Sequence, residues 1–415
     1  MWSSSVWVLA GSMAAKTCAK FGLDTVLVEK EEYPSKPFCL SCVTSARIVE
    51  YLRMTEEIGI PIYRLCQGAP DGTEIFAPPH EGYELGFALN RKTFDGEVLK
   101  LALRDGAEFM NRTRATGLIR EDGKIEGIKA VKTDTEEEIE IRSKIVIGAD
   151  GVESHVGRWA KIYETGLDVD NTYVVLNYMV DNVADMDEVD YHTYDQFFGY
   201  RKAQDVIFSM MPKGDGKMAI SAQMFHSCRP TKKGQLNEAL DYLIKNHPFL
   251  TKSNSNILER AGGVCPVNPL KVFVADGAML VGDAAHQQDL SCISKGVLHV
   301  MDAGTLAGEV AIEAHKEGDF SLNLLSRYEK RWWKSYGERD TFYYHLLRFW
   351  QQSPNEYFNR AFHILKDSDN LFTDEFFDEM FKSRGSMSEL FDEVKKDGLD
   401  IHNKQSFLSY FNHLT

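Results

Sequence analysis

The sequence predicts an α/β fold: a doubly wound parallel sheet with an inserted antiparallel-sheet domain and a helical C-terminal region. Three observations predict it. Near the N-terminus an apolar run, a Gly-Ser turn and a helical stretch of small residues lead into Thr25-Val26-Leu27-Val28-Glu29, the βαβ opening of a parallel sheet. Two later apolar runs, residues 145–148 and 278–281, deliver Asp150-Gly151 and Gly282-Asp283, as buried strands deliver polar turns at their carboxyl ends. Between them, residues 170–225 hold strand candidates separated by Asp/Gly turns, which reads as a second, largely antiparallel sheet.

The elements follow in order. Val6-Trp7-Val8-Leu9 is read as the first strand, and Met13-Ala14-Ala15-Lys16-Thr17-Cys18-Ala19-Lys20 as the helix that Gly22 ends. Residues 31–90 are rich in Pro, Gly and aromatics and read as irregular, with a helix through residues 45–52. Asn90 caps a helix over residues 91–104, with Phe94, Val98, Leu99 and Leu101 on its apolar side. Glu121-Asp122-Gly123-Lys124 turns a hairpin. Residues 172–180, 206–211 and 217–223 are strands, 234–245 and 296–315 are helices, and the chain is helical and aromatic from Leu322 onward.

With 415 residues, the chain has room for about two or three domains. The division expected is residues 1–165 with 265–320 for the parallel-sheet domain, 166–264 for the inserted sheet, and 321–415 for the helical region. Lys+Arg number 47 against 62 Asp+Glu, a net charge of −15, which argues against nucleic-acid binding and against adhesion to anionic lipid by charge alone. The seven cysteines are odd in number and sparse, as in a reducing cytoplasm with free thiols. No apolar stretch approaches the ~20 residues of a membrane helix, so a cytoplasmic protein is expected, peripheral to a membrane at most.

The chemistry-bearing motifs point to a nucleotide. A dinucleotide site needs a glycine turn at a helix N-terminus for the pyrophosphate and an acid about 20 residues on for the ribose hydroxyls. Glu29 lies 18 positions after Gly11, at the end of the second strand, but Val6 and Val8 stand where the first two glycines of that turn would be. Alone this is equally a plain βαβ unit with a strand-end glutamate. Cys39-Leu40-Ser41-Cys42 could be a redox dithiol; without a second CxxC it is not expected to hold zinc, and no metal site is expected. His286 could donate a proton, although a satisfied loop histidine is commoner. Tyr328-Glu329-Lys330-Arg331-Trp332-Trp333-Lys334 suits a membrane interface, and suits better an amphipathic helix packed on a core.

Taken together, Glu29, the helix start Arg91-Lys92-Thr93-Phe94-Asp95, the run Gly148-Ala149-Asp150-Gly151 through Arg158, and Gly282-Asp283-Ala284-Ala285-His286 resemble the flavoprotein hydroxylase superfamily, and within it the geranylgeranyl reductase family. Tyr33-Pro34 and Lys36-Pro37 ahead of Cys39, the Pro212–Gly216 turn and Tyr328-Glu329-Lys330 extend the resemblance over residues 6–335. It implies an FAD-binding, Rossmann-like domain. It implies that Gly11 is the last glycine of the pyrophosphate loop, that Glu29 binds the adenosine ribose, and that Ala115 contacts adenine. Arg91 would reach the FAD phosphates or ribitol and Asp283 the ribitol. Gly296 and Val297 would end the loop beneath the flavin ring, and Cys39, taken as the catalytic residue, would lie near that ring. Asp150 and Arg158 would hold the domain edges together near the cofactor. The implied activity is reduction of isoprenoid double bonds in lipids, with a ferredoxin-like protein or NAD(P)H as electron donor. An aromatic monooxygenase on the same fold is one alternative. The other is a non-catalytic isoprenoid carrier, suggested by the missing glycines and by the single glycine in residues 287–296.

Overall fold

The computed structural model describes residues 7–32, 40, 42–45, 52, 58–76, 86–163, 168, 171–183, 193–197, 206–225, 232–251, 255–288, 296–352, 354–366, 388–401, 403, 405–407 and 409. The parallel layer is in two pieces. β1 (Val26–Val28) pairs with β7 (Glu108–Met110), and β11 (Val146–Gly148) pairs with β18 (Ala278–Leu280), both in parallel, while β17 (Val274–Ala275) closes the second piece antiparallel to β18. One face is covered by three helices: α1 (Trp7–Lys20), α2 (Arg91–Arg104) and α6 (Gly296–Glu317). The other is covered by an antiparallel meander, β8 (Thr113–Glu121), β9 (Lys124–Lys132) and β10 (Glu138–Arg142). Cover on both faces is why β1, β11 and β18 are apolar throughout rather than alternating.

The first apolar run is not a strand. Trp7, Val8 and Leu9 are the first turn of α1, and Leu9 and Ala10 are fully buried in the main core with α6. A run of four apolar residues fits a helix face as well as a strand, and the Ala- and Lys-rich sequence behind it propagates the helix backwards. Val6 lies outside the described residues. Of the expected helix through residues 45–52, Ser45 instead ends β2 (Val43–Ser45), Leu52 is helical, and residues 46–51 lie outside the described residues. The segment read as irregular carries further short strands, β3 (Gly59–Ile62), β4 (Arg64–Gly68), β5 (Glu74–Phe76) and β6 (Gly86–Leu89).

β4 and β5 join a seven-stranded sheet in the order β16-β12-β15-β14-β13-β4-β5. Its other strands are β12 (Thr172–Val180), β13 (Thr193–Phe197), β14 (Ile207–Gly214), β15 (Lys217–Phe225) and β16 (Ile257–Pro266). Every neighbour is antiparallel except β13 with β4, so the inserted sheet is mainly antiparallel, as expected. α4 (Gln235–Asn246), followed by the single turn α5 (Pro248–Thr251), covers one face with Leu236, Ala239, Leu240 and Leu243. Phe208 and Met210 turn to that core, whereas Met211 and Ala219 turn to the opposite face and pack with Ile62 and Ala88 of the β2-β6-β3 sheet. The C-terminal helices are α7 (Leu322–Trp332), α8 (Glu338–Gln352), α9 (Asn355–Lys366) and α10 (Ser388–Lys396). α7 packs on the main core through Leu324, Leu325, Tyr328 and Trp332, the amphipathic-helix reading of that segment.

Candidate functional site

Glu29 follows β1 directly. Its N–H donates to the Met110 carbonyl (2.9 Å), its carbonyl accepts from Thr113 N–H (2.7 Å), and its carboxylate Oε1 accepts from Glu31 N–H (2.8 Å). The ladder thus delivers a buried carboxylate to the carboxyl edge of the sheet. A cavity of about 1120 Å³ opens beside it, lined also by Gly11 of α1 and Ala115 of β8. Gly11 lies in the second turn of α1, where a Cβ would stand 3.3 Å from the Ala149 Cβ and 3.5 Å from Leu27, a tight approach. Three predicted residues from three separate elements therefore share one cavity.

The second cluster begins at the cap of α2. The Asn90 side chain accepts from Thr93 N–H (3.4 Å), and the first helical residue, Arg91, points inward. Its Nε and Nη2 donate to both oxygens of Asp95 (2.7 and 2.8 Å), and its Nη1 donates to Cys42 Sγ (3.3 Å). Burial pushes the Asp95 carboxyl up to about 6 while the guanidinium pulls it back. Cys265, at the end of β16, has its thiol pushed up by burial first and then by the nearby charges of Asp283 and Cys42. Asp283, fully buried, sits in the 3₁₀ turn after β18, which Gly282 enters at φ +66°. Gln288 Nε2 donates to its Oδ1, and Gln287 Oε1 accepts from Gly282 N–H (2.8 Å), which holds the turn. Gly296 and Val297 open α6, with Val297 buried. Cys39 lies outside the described residues. Cys42, Cys265 and Gln288 were not singled out for this cluster; the CxxC pointed to Cys42 but not to its partner.

Two predicted residues have local roles. Asp150 accepts from the Ser154 hydroxyl and from His155 N–H (2.7 Å) and Val156 N–H (3.0 Å), so it starts the short helix α3 (His155–Trp159). Arg158 meets His155 Nδ1 (2.7 Å) within that helix, and the described contacts of these residues join no domain edges. His286, at φ +54°, faces Asn268 through Nδ1 (3.0 Å to both the carbonyl and Oδ1). Burial pushes its pKa down to about 4, so the ring is neutral near pH 7. Among the described residues no group of three or more His, Cys, Asp or Glu could hold a metal ion.

The residues present fit FAD. Buried carboxylates end β1 and β18, Gly11 in the second turn of α1 lies against Leu27 and Ala149, and a cavity of nucleotide size joins Gly11, Glu29 and Ala115. Fold and site together define an FAD-binding protein: the FAD binding domain family matches residues 80–331. The chain belongs to the digeranylgeranylglycerophospholipid reductase family. It is 35% identical over 338 residues to digeranylgeranylglycerophospholipid reductase 1 of Methanococcoides burtonii (79% of this chain, 78% of that one). It is 38% identical over 346 residues to the reductase of Methanosarcina acetivorans, covering 79% of each. Among solved structures, a geranylgeranyl bacteriochlorophyll reductase-like protein of Thermoplasma acidophilum superposes with a TM-score of 0.80 at 24% identity, covering 94% of this chain and 97% of that one. A flavin-dependent brominase superposes at 0.67 and 19% identity, covering 86% and 88%, a likeness of fold alone. No helix among the described residues is long and apolar enough to cross a membrane.

Proposed function

We propose that this protein is an FAD-dependent reductase that saturates the geranylgeranyl double bonds of a membrane phospholipid or its precursor. The observation that carries the reading is the pair of buried carboxylates, Glu29 and Asp283, at the carboxyl ends of β1 and β18, with the Arg91–Asp95 pair packed into the same interior. Gly11, Glu29 and Ala115 would hold the adenosine and pyrophosphate half of FAD. Arg91, Asp283, Gly296 and Val297 would hold the flavin half. When bound, FAD supplies the hydride chemistry.

The protein's own part is position, charge and dryness. Asp95 locks the Arg91 guanidinium with two hydrogen bonds, so a cation is presented in one orientation. Gln288 keeps the Asp283 carboxyl facing inward. Phe208 is spent in the core beneath α4, and Met211 and Ala219 are packed against Ile62 and Ala88. Cys39 is the proposed proton donor to the alkene, and Cys42, beside Arg91, is its internal comparison. A ferredoxin-like protein or NAD(P)H would return the electrons, and a cytoplasmic enzyme touching the membrane surface would reach a lipid substrate.

The test is direct. Purified protein should show absorption bands near ~370 and ~450 nm. Reduced without oxygen and mixed with a geranylgeranyl phospholipid, it should give products heavier by about 2 Da per saturated bond. Bound flavin with no mass gain would exclude the reductase. Full turnover by Cys39→Ala would remove Cys39 from the proton step, and loss in Cys42→Ala alone would move that role three residues along.

A further inference from the structure

The start of α6 is gripped by residues beyond residue 331, where the match to the FAD binding domain family ends. A π turn, Trp333–Gly337, joins α7 to α8, and a Cβ on Gly337 would overlap the Trp333 ring. Such turns are rare and recur at functional sites. This one brings Tyr336, Arg339 and Asp340 onto the first two turns of α6. The Tyr336 hydroxyl donates to Asp302 Oδ2, and the Tyr336 and Trp332 rings pack on the His299 ring (4.5 and 6.0 Å between centroids). Arg339 Nη2 donates to His299 Nε2, and Asp340 Oδ1 lies 3.3 Å from the same nitrogen.

The two contacts compete. A guanidinium only donates, so while Arg339 points at Nε2 that nitrogen is bare and the neutral ring carries its proton on Nδ1. With a second proton, Nε2–H donates to Asp340 and repels Arg339. His299 and Asp340 are buried, but the Arg339 side chain is 22% exposed and can swing outward over the Tyr336 ring, 5.2 Å away. Among the described residues the other charged groups nearby are Asp302, one turn on along α6, and Asp283, in the 3₁₀ turn packed on α6. β2, also packed there, brings only Val43, Thr44 and Ser45. Arg327 and Arg331 of α7 pair farther along α6 with Glu309, Glu313 and Glu317, and Lys16 of α1 pairs with Asp105. His299 stands one turn inside a helix whose N-terminus, Gly296, favours negative charge.

We propose that His299 is a positioning residue that takes up a proton when negative charge arrives at the N-terminus of α6. This rests on the FAD reading above, in which Gly296 and Val297 hold the flavin half and reduction brings that charge. The proton comes from solvent along Arg339. An N–H bond forms at Nε2, its hydrogen bond goes to Asp340, and no electron leaves the cluster. The positive charge gained inside the first turn of α6 balances the charge of the reduced cofactor. Because Arg339 and Asp340 belong to α8, the same step changes the grip of the C-terminal helices on α6.

NMR of the ring nitrogens in the histidine-labelled full chain, assigned with His299→Gln, reads the proton at neutral pH. In the oxidised protein the His299 ring should be protonated on Nδ1 alone, and after anaerobic reduction on both nitrogens. With a pH-indicator dye, His299→Gln should take up about one proton fewer than the parent per flavin reduced. Arg339→Met should place the second proton on the ring before reduction, with or without FAD, and Asp340→Asn should keep the ring neutral throughout. A ring state unchanged by reduction would overturn the coupling, as would equal proton uptake by His299→Gln. An unchanged ring in Arg339→Met would overturn the competition for Nε2. Protein that takes up no FAD would remove the FAD reading and the coupling with it, while Arg339→Met in the cofactor-free chain would still decide the competition.

Discussion

Glu29, Arg91 and His286 show three ways a buried polar side chain is used. Glu29 is held by its strand beside the cavity, where it is proposed to bind the adenosine ribose. Glu29→Ala should loosen FAD by about tenfold or more, the worth of a hydrogen bond to a charged group, measured by flavin fluorescence on titration. Arg91 and Asp95 make each other tolerable inside the protein. Arg91→Ala strands a buried carboxylate and should cost about 3–5 kcal/mol in denaturant unfolding, whereas Arg91→Met with Asp95→Leu should recover most of it. His286 is neutral in the fold, its pKa pushed down to about 4 from 6.5. Above pH 6.5 it imposes no penalty. As pH falls from there toward 4, the unfolded chain takes up a proton that the folded one refuses, and stability drops by about 1.4 kcal/mol per pH unit, to about 3 kcal/mol in all. His286→Asn should flatten that part of the stability profile; an unchanged slope would mean the ring is not held neutral. Among these residues, Glu29 and Arg91 were legible because each stands at the end of a strand or the start of a helix. The neutral state of His286 was not, because the burial that imposes it, against the opposing hydrogen bond to Asn268, comes from elsewhere in the chain.

At the scale of elements, α1 and α6 form the closest crossing. A Cβ on Gly304 would lie 2.2 Å from the Ala10 carbonyl oxygen, and one on Gly308 2.7 Å from the Thr17 Cβ. Gly304→Ala must therefore push the helices apart and should destabilise by about 1–3 kcal/mol, with a matching fall in the denaturant midpoint. The same scale explains where the sequence reads well. α2 with its Asn90 cap, the β8–β9 turn, β12 and α6 carry their own period, cap or turn residue within a few positions. β2 to β6 are three to five residues each, interrupted by Pro, Gly and aromatics, and all but β5, which returns on β4, pair with strands well separated along the chain, so no local period marks them. The run at Trp7–Leu9 was ambiguous in kind: Leu9 is buried in the core that α6 joins from about 300 residues away in sequence, which no local window contains.

At the scale of the molecule, a ligand that binds only the folded state should stabilise it by about 2.7 kcal/mol at a concentration of 100 Kd, so added FAD should raise the thermal midpoint, and no rise would count against the nucleotide site. The order of elements from α2 onward, the strand-end acids, the inserted antiparallel sheet and the likeness to flavoprotein reductases follow from the chain read locally, since apolar period, turn chemistry and spacing are properties of neighbouring residues. Folding alone brings Arg91 to Cys42 across 49 positions, sets Asp283 near Cys265, and turns the backbones of β1 and β11 toward one cavity. Those outcomes depend on which strands pair and which helices cross. Such choices minimise exposed apolar surface and unpaired backbone over the whole chain, and no short window of residues contains them.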